Sequence, residues 1–90
     1  MAVIIWDDTK NQKLKTERNI SFEQISAIIL QKTYLDILEN KARPNQQIFV
    51  VELNNYIYAV PFIIDENANI ILKTAYPSRK LAKKYKRSEK

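Results

Sequence analysis

The chain has no cysteine, no histidine and no glycine. Without cysteine it has neither a disulfide framework nor a thiolate-ligated zinc or iron–sulfur centre. Without histidine it lacks the usual acid–base group near neutral pH and the commonest metal ligand. Any catalysis must therefore run on Lys, Arg, Tyr, Glu or Asp, and no cofactor is expected. The absence of glycine shifts the burden of positive-φ turns onto asparagine, which is abundant and tolerates them. No apolar run approaches the ~20 residues that span a bilayer. The opening "MAVIIWDD" has no basic region and turns acidic at once, unlike a signal peptide. A cytoplasmic protein with no membrane partner is the expectation.

What is present suits a globular domain. The apolar fraction is 46% over 90 residues, enough for one modest core. Residues 1–90 are expected to form a single domain, with the last few residues disordered. The net charge of +5 is unevenly spread. Residues 73–90 carry eight basic side chains against Glu89, a local +7, which leaves −2 for residues 1–72. A basic segment on a near-neutral body points to a polyanion, an acidic protein or a membrane surface as partner. A solvated end that aids solubility fits the charge equally well.

Periodicity and punctuation give an order of elements. "VIIW" (3–6) suggests a short strand. Asp7 or Asp8 can cap a polar helix over about 8–17, with Leu14 its clearest core residue. In "NISFEQISAIIL", Ser21 and Gln24 form a capping box, and Ile20 and Ile25 flank it as a hydrophobic staple. Phe22, Ile25, Ile28 and Ile29 then share one face of a helix over about 22–31. "TYLDILE" (33–39) and "QIFVVEL" (47–53) suggest strands, separated by the loop "NKARPN". Asn54-Asn55 predicts a tight type I′ hairpin into "YIYAVPFII" (56–64). Pro61 within that strand implies an edge position or a bulge. "IILKTAY" (70–76) predicts the last strand, and Pro77-Ser78 opens a helix over about 78–87. Helices segregated from an antiparallel run define an α+β domain, with one sheet face covered by the two N-terminal helices.

No phosphate-binding glycine loop and no metal-ligand spacing is present. The carboxylate pairs Asp7-Asp8 and Asp65-Glu66 fall at a cap and in a turn, which gives them structural roles. Trp6 fits the core better than a stacking platform. Two basic clusters remain. One is "KLKTER" (13–18), which includes Lys15. The other begins at Ser78-Arg79-Lys80 and runs through Lys83, Lys84 and Tyr85. Arg79 follows a strand–helix junction, where a guanidinium beside free N–H groups can hold phosphate. An ordinary surface arginine fits the same spacing.

The stretches "WDDTKNQKLKTERNISFEQ" (6–24) and "PNQQIFVVELNNYIYAVPF" with "LKTAYPSRKLAKKY" resemble the BrnT-like toxins of type II toxin–antitoxin pairs, over about residues 4–85. The resemblance implies a RelE-like fold, a twisted antiparallel sheet in the order β-α-α-β-β-β-β-α with a basic C-terminal helix. It implies a metal-independent endoribonuclease that inhibits translation until a cognate antitoxin, of ribbon-helix-helix type in some pairs, covers it. Arg79 and Lys80 match the family's basic pair after the last strand. Where many relatives read Lys-His-Gly, this chain has Glu17-Arg18-Asn19, so a histidine-based mechanism is excluded. The candidate catalytic set is Arg79, Arg18 and Glu17. The candidate RNA-binding set is Lys15, Arg43, Lys80, Lys83, Lys84 and Tyr85. Glu17 or a lysine among Lys80, Lys83 and Lys84 would act as base. Tyr85 suits stacking on a base, proton donation, or packing on Leu81. The rival readings are a non-catalytic nucleic-acid binder and an inactive relative that only binds its antitoxin.

Overall fold

The computed structural model describes residues 3–85. Elements follow in the order β1 (Ile4–Ile5), α1 (Asp8–Arg18), α2 (Phe22–Leu30), β2 (Asp36–Glu39), β3 (Gln47–Leu53), β4 (Tyr56–Ile64), β5 (Ile70–Leu72), β6 (Tyr76–Pro77) and α3 (Arg79–Tyr85). The expected disorder of the last few residues, and the end of the final helix at 87, lie outside the described residues. No helix among those described is long and apolar enough to cross a membrane.

The N-terminal half folds as its local signals dictate. Asp7 caps α1 by accepting from the Lys10 N–H at 3.1 Å. Ser21 and Gln24 exchange both bonds of the capping box, and the staple residues Ile20 and Ile25 are both buried. Asn19 takes the left-handed conformation that ends α1. α2 ends without glycine: Lys32 adopts φ 58, while Thr33 N–H donates to Ile28 O and Lys32 N–H to Ile29 O. This is a Schellman closure with lysine at the left-handed position. It occupies Thr33, so the strand expected from 33 begins only at Asp36. Asparagine takes three of the five positive-φ positions, Asn19, Asn54 and Asn55; Lys32 and Ala68 take the others, each at a cost of about 1–2 kcal/mol.

The sheet runs β1-β5-β4-β3-β2, with β6 also paired to β4. β2, β3, β4 and β5 pair antiparallel, but β1 lies parallel to β5. The sheet is therefore mixed, which corrects the all-antiparallel expectation. A short apolar run carries no mark of direction, and here the direction is set at the strand's start. Ile70 N–H donates to Val3 O and Val3 N–H to Asn69 Oδ1.

The last strand is also not continuous. Phe62 pairs with Leu72 and Ala59 with Tyr76, so Lys73–Ala75 face only Val60 and Pro61, a β-bulge. Pro61 thus stands in the central strand β4, beside a bulge. Its C=O accepts from Lys73 N–H at 2.8 Å. The missing Pro61 N–H would point to the same side, where the bulge has removed its partner.

α1 and α2 cover one face. Leu14, Ile20, Phe22, Ile25 and Ile29 pack on Phe49, Val51, Tyr58, Val60, Phe62 and Leu72. Phe49 stacks on Phe62 with ring centroids 4.2 Å apart. Trp6 lies against this core, its ring 5.8 Å from Phe22. Each fully buried side chain of this size contributes about 1.5–3 kcal/mol. One buried polar group ties the two helices together. Asn11, 0% exposed, accepts from Phe22 N–H at 2.7 Å and donates to Glu23 Oε1 at 2.8 Å. α3 packs on β4 from the opposite face, over Val50, Ile57 and Ala59, all buried.

Candidate nucleic-acid interface

α3 covers only part of its face of the sheet. Between the helix and the strands lies a groove of about 690 Å³. Leu38, Ile48 and Ala59 form its floor, and Lys80, Leu81 and Lys84 its helical wall. Lys41 adds a further cation and Glu39 a carboxylate at the β2 end. Helical spacing explains the wall: Lys80 and Lys84 are one turn apart, and Leu81 beside them is half-buried.

Two contacts fix α3 there. Ser78 starts it, donating through its N–H to Ile57 O at 3.1 Å and accepting from Leu81 N–H at 3.2 Å. The junction expected to leave free N–H groups beside Arg79 is thus partly satisfied by its own serine. At the other end Tyr85 O–H donates to Asp36 Oδ2 at 2.6 Å. The Tyr85 bond, then the Ile37 N–H, hold the Asp36 carboxyl below its usual 3.8. The same bond pushes the Tyr85 phenol above its ordinary 10.0. Tyr85 is therefore a latch between α3 and β2, a role absent from the sequence-based expectations for it.

The candidate residues divide between the two faces. Lys80 and Lys84 line the α3 groove. Lys83 is exposed on the same helix. Arg43 lines a neighbouring hollow that shares Tyr76 with the groove. Lys15 lies on α1, 3.9 Å from Glu23. Glu17 and Arg18 are exposed at the end of α1. Their turn is tied to the β3–β4 hairpin, where Asn54 Nδ2 donates to Asn19 O at 3.2 Å. Arg79 starts α3 beside the same hairpin, but α3 lies on the other face. No hydrogen bond or ion pair among the described residues joins Arg79 to Glu17 or Arg18.

Three further lysines, Lys10, Lys41 and Lys73, line these hollows without having been candidate site residues. Lys41 stands two residues from Arg43 in a charged loop, which was a usable signal; Lys10 and Lys73 meet only through the fold. The hollow on the α2 side, about 410 Å³, is different in kind. It is lined mostly by apolar side chains, among them Ile29, Tyr34, Phe49 and Phe62.

Fold and surface together define an α+β domain with a basic groove on one sheet face. No family model, characterised protein or solved structure matches the chain.

Proposed function

We propose that the chain is the toxin of a type II toxin–antitoxin pair, a RelE-like, metal-independent endoribonuclease that binds RNA along the α3 groove. One observation carries this reading. Lys41, Lys80 and Lys84 converge on an open groove in the sheet face, with Glu39 the carboxylate among its described lining residues. Lysines spaced along an open groove suit the backbone of a single strand, whose binding releases counterions. Arg79, at the head of the groove's helix, supplies a guanidinium to the phosphoryl oxygens. RNA carries its own nucleophile in the 2′-hydroxyl. The protein needs to assist its deprotonation, stabilise the pentavalent phosphorane and protonate the departing 5′-oxygen. Electrostatic stabilisation of that phosphorane is the term arginine supplies. A cognate antitoxin would silence the toxin by covering Arg79 and α3 with an acidic segment.

A second reading, an RNA-binding relative that does not cleave, is favoured by the separation of Glu17 and Arg18 from the groove. The two readings part in one experiment: growth arrest on induction, with cleavage of a defined RNA, for wild type, Arg79→Ala, Arg18→Ala and Glu17→Gln. The enzyme reading expects wild type to arrest growth and cut RNA, and folded Arg79→Ala to lose about 10²–10³ in rate. Cleavage by Arg79→Ala at the wild-type rate removes Arg79 from the chemistry. Wild type that binds RNA but neither cuts nor arrests leaves the non-catalytic reading.

A further inference from the structure

Pro61 has no N–H to offer its neighbour, and the strand beside it bulges. Three residues, Lys73–Ala75, face two. Ala75 turns into the core at 1% exposure. Lys73 and Thr74 instead line a hollow of about 510 Å³, with Pro61 in its wall. β1 pairs only as far as Ile71, so the bulge has an open outer edge. Across that edge Lys10 reaches from α1, its Nζ donating to Lys73 O at 3.0 Å. Arg43 arrives from the β2–β3 loop. That loop is closed by Asn40 N–H to Gln46 O, Arg43 N–H to Asn40 O and Gln46 N–H to Arg43 O. Asn40 Oδ1 also accepts from Ala42 and Arg43 N–H.

Three cations from three separate elements thus converge on one hollow, and no carboxylate is among the described residues lining it. Like charges gathered without a counter-charge repel one another, and a bound anion relieves that repulsion. The volume falls within the ~300–1,000 Å³ of small-molecule sites. Tyr76, 40% exposed, stands at the border with the α3 groove and offers an aromatic ring to a base.

We propose that this hollow is a nucleotide subsite: Lys10, Arg43 and Lys73 hold a phosphate, and Tyr76 stacks on the base attached to it. The inference rests on the RNA reading for the source of that nucleotide, a single strand continuing out of the α3 groove. The chemistry itself is that of any nucleotide phosphate.

The test therefore uses two probes, uridine 3′,5′-bisphosphate and an eight-nucleotide single-stranded RNA, titrated by calorimetry at low salt. Wild type is expected to bind both. Arg43→Ala and Lys73→Ala should each weaken the bisphosphate about tenfold or more, the size of effect of losing a charge-assisted bond. Lys73 anchors the bulge only through its backbone, so its variant should fold normally. Tyr76→Ala should weaken the bisphosphate about 5–100-fold, the range for a lost base stack, and Tyr76→Phe should restore it. Lys80→Ala with Lys84→Ala should weaken the RNA and leave the bisphosphate unchanged. Wild type that does not bind the bisphosphate overturns the subsite. So does wild-type affinity for the bisphosphate in folded Arg43→Ala and Lys73→Ala. Either failure is compatible with RNA binding in the α3 groove. Bisphosphate binding without RNA binding would uphold the subsite as a site for free nucleotides and overturn the RNA reading.

Discussion

The two faces of this sheet are built from the same strands and are covered unequally. On one face, alternate residues of β3 and β4 meet α1 and α2 in an apolar core of Phe22, Ile25, Phe49, Val60 and Phe62. On the other, the intervening residues meet a seven-residue helix with no fully buried side chain. The first face carries the core, with an apolar hollow of about 410 Å³ beside α2. The second is covered only in part, and lysines are among the residues lining its open part. Period-2 alternation lets one set of strands present two different surfaces, because neighbouring residues point to opposite faces. Substitutions on the α1–α2 face should therefore cost folding, and substitutions on the α3 face should cost binding.

The α1–α2 face is most sensitive at Phe22. Phe22→Ala removes a 0% exposed ring at the start of α2 and is expected to cost about 3–5 kcal/mol, a large share of the ~5–15 kcal/mol available to a domain. Urea unfolding measures it; a loss under about 1 kcal/mol would mean that this face is not the core. Asn11→Ala comes next. It leaves Phe22 N–H buried without its acceptor, at about 1–3 kcal/mol. The same titration checks it, and Asn11→Asp, which keeps the acceptor but sets a buried carboxylate against Glu23 Oε1, should also lose stability near neutral pH.

Lys80→Ala with Lys84→Ala sharpens the contrast from the other side. Both side chains are exposed, so stability should stay within about 0.5 kcal/mol of wild type. RNA affinity should fall, and its log–log salt slope should flatten by about 1–2. Fluorescence anisotropy at several salt concentrations gives both numbers.

The smallest effect is expected at the latch. Tyr85→Phe removes the bond to Asp36 and should lower the melting temperature slightly, with no change in the α1–α2 core. The Asp36 carboxyl is depressed, so its contribution is present above 3.8 and lost as pH falls through its folded value. The Tyr85 phenol is raised, so its contribution is present below 10.0 and lost as pH rises through its folded value. The difference between wild type and Tyr85→Phe should accordingly persist across neutral pH and shrink at both ends. A difference that is flat from acid to alkali would show that the two groups do not interact.

How much of this was legible in the sequence follows the range of each interaction. Ser21 and Gln24 are three residues apart and announce the start of α2. Asn54-Asn55 announces its turn, and both take positive φ as expected. β3 and β4 have the bounds that their β-branched and aromatic runs suggested. What stayed hidden was long-range. The parallel pairing of β1 joins residues 66 apart in the chain, and the Tyr85–Asp36 bond spans 49. Pro61 warned of an edge or a bulge, but not that the bulge would present Lys73. The local basic clusters were visible, whereas their distribution between two faces was set by the sheet. Lys80, Lys83 and Lys84 followed α3 to one side, while Lys15, Glu17 and Arg18 followed α1 to the other.

The division of labour between the faces can be tested in one titration. Backbone amide shifts of the labelled protein would be recorded as an eight-nucleotide single-stranded RNA is added at low salt. Shifts are expected at Leu38, Ile48, Ala59, Tyr76 and along Lys80–Lys84, with α2 silent from Glu23 to Leu30. Shifts confined to the Glu17–Asn19 turn and α2, or no shifts at all, would contradict that division.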